Sequence, residues 1–202
     1  VYSKDPVSVA DDFNQFFSSV GRKSAEAAAH IAEANNINID ITSSEDPSPA
    51  HLEPFNFTPV TCTDVQRIIL SMPSNKSPGL DKISMRVIKD CLPVILGPLT
   101  DIINTSFASS TFPSDWKIAE IIPLLKEGDH EVASNNRPLS LLVATSKVCE
   151  RIALQQFSSY LHRYGRLNPH QSGNKKHHST ETLNILISDT LLDAMDNKRL
   201  SA

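Results

Sequence analysis

Apolar residues recur at three- and four-residue spacing near the start of the chain. Val9, Phe13, Phe16, Phe17 and Val20 fall on one stripe, which predicts an amphipathic helix. Asp5-Pro6 supplies its N-cap and a proline at the first helical position. Gly21 is expected to break it, and the alanine-rich KSAEAAAHIAEA to resume helix as far as Asn35-Asn36. From 37 to 60 the pattern lapses into INIDITSSEDPSPAHLEPFNFTPV, with four prolines and no period, which reads as an extended linker. Periodicity returns at Thr61. Thr63 and Gln66 have capping-box spacing ahead of a short helix carrying Val65, Ile68, Ile69 and Met72. Pro73 ends that helix, SNKSPGLDKIS (74–84) follows as a loop, and Asp81 is placed to cap the next helix, KISMRVIKD. Residues 92–107 continue the helical pattern, and Pro98 within them predicts a kink or two abutting helices.

The rhythm then changes. WKIAEIIPLL (116–125) and RPLSLLVA (137–144) are short apolar runs around a polar Gly-Asp loop, the pattern of an antiparallel hairpin. Pro123 and Pro138 confine both strands to edges or strand starts, because proline cannot donate to a ladder. Val148, Ile152, Phe157, Leu161 and Tyr164 mark another helix, ended by Gly165. After the basic loop RLNPHQSGNKKHH comes a last helix, capped by Ser179 or Thr180, with Leu183, Leu186, Ile187, Leu191 and Ala194 expected inward. The fold class expected is α+β, mostly helical with one β-hairpin. A helical appendage (1–36) and a linker (37–60) precede the core (61–202).

Composition narrows the function classes. At 202 residues and 40% hydrophobic content the chain can build a core. No apolar run approaches the roughly 20 residues of a membrane span, and no signal peptide is recognisable, so an intracellular setting, nucleus or cytoplasm, is expected. Val1 in place of Met and the unfinished DNKRLSA end read as a fragment of a longer protein. Cys62, Cys91 and Cys149 are scattered, which predicts small buried hydrophobes rather than a disulfide framework or a zinc site. The histidines between 162 and 178 match no zinc-ligand spacing. Net charge is −4, but residues 1–60 hold 9 of the 23 acids and only 3 of the 19 bases. Residues 147–178 hold six bases, Lys147, Arg151, Arg163, Arg166, Lys175 and Lys176, against the single acid Glu150. A local basic surface of this kind is a footprint for phosphate, or simply a solvated face.

Two cations, Lys126 and Arg137, stand at the two feet of the hairpin loop. On one ribbon they can face one anion, Arg as a planar fork and Lys as a mobile point charge. A triphosphate is an anion that needs both orientation and charge compensation.

The order NKSPGLDKIS, FPSDWKIAEIIPLLKEGD, NNRPLSLLVATSKVCERI, LNPHQSGNKKHHSTETL resembles the amino-terminal half of a reverse transcriptase, above all those of non-LTR (LINE-type, jockey-like) retrotransposons. The similarity runs from about Thr61 to the end, and DPVSVADDFNQFFSSVG resembles the segment that precedes the polymerase there. The resemblance implies a fingers-type subdomain over 61–202, truncated before the catalytic palm. It implies that Lys126 and Arg137 contact the incoming deoxynucleoside triphosphate. Lys76, Gly79 and Asp81 would lie near the RNA template, as would Gln171, Gly173, Lys175 and Lys176. Asn174 stands where the family has Phe, and Lys175 where it has Arg, which keeps charge and loses the fork. The family's metal-binding aspartates, in an Ala-Phe-Asp strand and a Tyr-x-Asp-Asp turn, have no counterpart in this sequence. The chain alone is therefore expected to have no catalytic residue, no metal site and no cofactor of its own. Template RNA, DNA primer, Mg²⁺ and the palm and thumb belong to the complete polymerase. The other reading is a non-catalytic helical module that binds nucleic acid or protein.

Overall fold

A computed structural model describes residues 5–37, 53–168, 171–175 and 177–199. The chain forms two compact units, Val1–Gln156 and Phe157–Ala202. The elements are α1 (Pro6–Ala34), α2 (Cys62–Ser71), α3 (Met85–Asp90), α4 (Leu92–Ser109), β1 (Ala119–Leu125), β2 (Asn136–Leu142), α5 (Ala144–Arg163) and α6 (Thr180–Asp196). Among the described residues the fold is mostly helical with one two-stranded antiparallel sheet, within the α+β class expected. No helix among them is long and apolar enough to cross a membrane.

The core of the first unit lies among α2, α3, α4 and the start of α5. Val65, Ile69, Ile103 and Val148 are fully buried there, with Ile68, Met85, Ile88, Leu92, Leu99 and Ile152 around them. Phe112 and Trp116 meet edge to face, at 5.7 Å between centroids, and pack on this core. The segment before α2 is tied in by side chains. Asn104 accepts from Val60 N–H and donates to Val60 O (2.8 and 3.0 Å), and Gln156 does the same at Thr58 (2.9 and 2.9 Å). Phe57 stacks on Phe107 at 4.4 Å. Most of the expected linker, residues 38–52, lies outside the described residues.

Four local expectations are corrected. Helix α1 runs unbroken through Gly21, whose cost of about 1 kcal/mol is outweighed by the strong helix formers that follow it, Arg22, Lys23 and the alanine-rich 25–29 stretch. Helix α2 is capped by Thr61 with Asp64, not by Thr63 with Gln66. The Asp64 carboxylate accepts from Thr61 Oγ1 (2.6 Å) and N–H (3.1 Å) and pairs with Arg67, a charge-assisted set that a glutamine cannot match. These bonds, the Thr61 hydroxyl first, hold the Asp64 pKa below its ordinary value. Ser84 rather than Asp81 caps α3, while Asp81 accepts from Ile83 N–H (3.1 Å) in its own turn. Pro98 sits inside one helix, α4, where Val94, whose carbonyl loses its bond, is exposed to water.

In the second unit, Gly165 ends α5 in a Schellman motif: Arg166 N–H bonds Leu161 O and Gly165 N–H bonds His162 O. Ser179 caps α6. Of the face expected inward on α6, Leu183 and Ala194 are half-buried, while Leu186, Ile187 and Leu191 are about half exposed, as are Ile185 and Leu192; its apolar residues lie all round the helix rather than on one side.

Candidate nucleotide and template face

The hairpin carries the first pair of candidate residues. Its register places Leu124 opposite Arg137 and Leu125 opposite Asn136. Lys126 N–H extends the ladder by one bond, to Asn135 O at 2.8 Å. Residues two apart on a strand, and residues directly opposite across a pair, share a face. Lys126 and Arg137 therefore stand diagonally on one face of the ribbon, together with Ile122, Leu124 and Leu139. The other face, with Ile121, Pro123 and Leu125, turns toward Phe13 and Phe17 of α1.

The loop between the strands is braced by two asparagines. Asn135 Nδ2 donates to Asp129 O (3.0 Å), and the buried Asn136 donates to His130 O and Val132 O (3.0 and 2.9 Å). Gly128, at φ +74°, makes the turn, and its missing Cβ leaves room for the Asn135 amide. Lys126 forms an ion pair with its neighbour Glu127 at 3.0 Å, both side chains exposed and the pair correspondingly weak. Arg137 is exposed and has no ion-pair partner among the described residues.

The 74–84 loop docks on the same ribbon. Gly79 is buried against the end of β2: a Cβ there would meet Val143 N at 2.5 Å and Leu142 C at 2.6 Å. Lys82 bridges to Glu120 of β1 at 2.6 Å. Lys76 lines a cavity with Leu139 and Leu141. Gly79, Lys76, Lys126 and Arg137 are thus brought onto one ribbon and the loop beside it, whereas Asp81 is occupied in its own turn.

Gln171, Gly173 and Lys175 belong to the second unit. They form a tight loop before α6, with Gln171 Nε2 donating to Gly173 O (3.2 Å), Asn174 at φ +56° and Lys175 half-buried. Lys176 lies outside the described residues. No group of three His, Cys, Asp or Glu that could hold a metal ion occurs among the described residues.

Two residues beside this face were not singled out from the sequence as site residues. Lys82 is one; the other is Lys147, in the first two turns of α5. The usable signal for Lys147 was a cation between Val143, Ala144 and Val148, which form an apolar surround.

A mostly helical chain with one cation-bearing hairpin matches polymerases of mobile elements in sequence. It is 32% identical over 142 residues to the probable RNA-directed DNA polymerase from transposon BS of Drosophila melanogaster, a match covering 69% of this chain and 16% of that protein. It is 30% identical over 142 residues to the probable RNA-directed DNA polymerase from transposon X-element of the same fly (70% and 16%). It is also 30% identical over 140 residues to the RNA-directed DNA polymerase from mobile element jockey (69% and 15%). No family model matches the chain. Over about 70% of its length the chain is thus similar to RNA-directed DNA polymerases of jockey-like non-LTR transposons, and the matched segment spans about 16% of the length of those relatives.

Proposed function

We propose that this chain is the fingers-type part of an RNA-directed DNA polymerase of a non-LTR retrotransposon, holding template RNA and the triphosphate of the incoming deoxynucleotide. In this reading residues 61–202 form the fingers and 1–36 the helical segment upstream. The observation that carries it is the diagonal placement of Lys126 and Arg137 on one face of one ribbon, with Arg137 unpaired among the described residues. The docking of the 74–84 loop on that ribbon supports the assignment of Lys76 and Gly79 to the template side. Lys175 and Lys176, with Gln171 and Gly173, supply a second template contact. The carboxylates described here do not gather into a set that fits Mg²⁺, so no step through a metal is assigned to this chain. Its own residues bind and orient, and primer, metal and bond formation belong to the rest of the polymerase.

A labelled deoxynucleoside triphosphate titrated into the full 202-residue chain tests the reading. Arg137→Ala removes a charge-assisted contact of about 1.5–3 kcal/mol, roughly a tenfold or greater loss of affinity. Lys126→Ala is expected to weaken binding less, since its charge is shared with Glu127. Equal triphosphate affinity for wild type and Arg137→Ala would remove this role.

A further inference from the structure

Beside the hairpin face lies a cavity of about 410 Å³, between the 72–78 segment, β2 and the start of α5. Met72, Pro78, Met85 and Leu139 give it an apolar lining, and Lys76 and Lys147 bring two ammonium groups to it. Its volume falls within the few hundred Å³ typical of ligand sites.

The four lysines around this region differ in what they are bonded to. Lys89 donates to Met72 O (2.6 Å) and Leu70 O (3.2 Å), closing the end of α2. Lys82 is paired with Glu120. Lys76 and Lys147 have neither ion pair nor hydrogen bond among the described residues, and Lys147 is half-buried. An ammonium drawn partly out of water against an apolar wall, with no counter-charge, is a site for an anion. The ligand that fits such a lining carries negative charge at one end and a flat, weakly polar body at the other. A nucleotide has that chemistry, and the thioethers of Met72 and Met85 can adapt to any base.

We infer that this cavity is a single-nucleotide subsite for a nucleic-acid strand, with the phosphate between Lys76 and Lys147 and the base against Met72, Pro78, Met85 and Leu139. The inference rests on the template-binding reading above and adds Lys147 to it. Because the lining contains no aromatic ring, the base is held by apolar burial rather than ring stacking, so the subsite discriminates little between bases.

The test is fluorescence anisotropy of the full chain with labelled single-stranded oligouridine at several salt concentrations. An abasic oligomer of equal length serves as a second probe. Lys147→Gln is expected to weaken RNA binding about tenfold and to lower the salt slope by about 0.7, one phosphate contact on a single strand. Lys147→Arg should restore both. Leu139→Ser, at a position already 49% exposed, should abolish the preference for oligouridine over the abasic strand while leaving the salt slope unchanged. Undiminished RNA binding by both Lys147→Gln and Lys76→Gln overturns the subsite and leaves the template reading standing. No salt-sensitive RNA binding by the wild-type chain overturns both. A cavity that instead seats another part of the polymerase gives that undiminished binding by both variants, because RNA affinity then ignores Lys147.

Discussion

A Cβ built on Gly79 would stand 2.5 Å from Val143 N and 2.6 Å from Leu142 C, both backbone atoms at the end of β2. Neither can rotate away, so Gly79→Ala has to lift the loop off the ribbon. The expected loss is about 1–3 kcal/mol, the range for overpacking, read from denaturant unfolding, together with weaker RNA binding as Lys76 moves. Gly97→Ala is the control: nothing lies within 4 Å of its Cβ and it sits within α4, so it should stabilise by roughly 0.5–1 kcal/mol. Equal effects of the two substitutions would remove the close-approach argument. Cys149 shows the other side of burial. It is 1% exposed, and desolvation, with Glu150 adding to it, pushes its thiol from 9.0 up to about 11. In this range the unfolded chain releases a proton that the folded chain keeps. Stability from the neutral thiol is whole below pH 9 and is lost as pH rises toward 11. Cys149→Ala should therefore flatten the alkaline fall in stability. Cys62 and Cys91 are exposed, against the burial expected of all three cysteines, so at pH 8 iodoacetamide should label these two and spare Cys149 until the chain unfolds. Labelling of all three at equal rates would contradict the burial.

At the scale of elements, the hairpin explains how two prolines live in a two-stranded sheet. The Lys126–Asn135 bond makes that position a hydrogen-bonded pair, so by alternation Pro123 opposite Pro138 is a non-hydrogen-bonded pair. Neither nitrogen is asked to donate inward. Both instead remove an N–H from the outer edges of the ribbon, where no third strand pairs among the described residues. Pro138→Val should leave folding stability within about 0.5 kcal/mol, as for a surface change, and should increase concentration-dependent association, measured by light scattering. Unchanged association would show that the edge is guarded by something else. The hairpin, the Asp5-Pro6 start of α1 and the Gly165 stop were legible because each depends on a few adjacent residues. The cap of α2 was not, because Thr61 and Thr63 both have suitable partners three residues on, and the carboxylate of Asp64 decides between them. Lys126 and Arg137 could be named from their spacing, but their shared face required the register. Lys147 needed the third dimension, since the loop that completes its surround lies about seventy positions earlier in the chain.

At the scale of the whole molecule, the two units differ in what they bury. The first encloses Val65, Ile69, Ile103 and Val148, while no residue of α6 in the second is buried. A helix of 17 residues held by a Ser179 cap and little packing is near the limit of what is stable alone in water. Amides of α6 are therefore expected to exchange with solvent faster than those of α2 and α4 by about a hundredfold or more, because local opening there loses few apolar contacts. Hydrogen exchange on the full chain measures this directly, and equal protection of α6 and α4 would show that another surface covers α6. The same measurement bears on the template reading. The loop carrying Gln171, Gly173 and Lys175 leads straight into the N-terminus of α6, so a strand that engages this loop orders the first turn of the helix. Single-stranded RNA should then slow exchange at Glu181 to Leu183, whose side of the helix begins at the Ser179 cap, more than at the α6 C-terminus. Slowing spread evenly along α6, or confined to its far end, would place the RNA somewhere other than this loop.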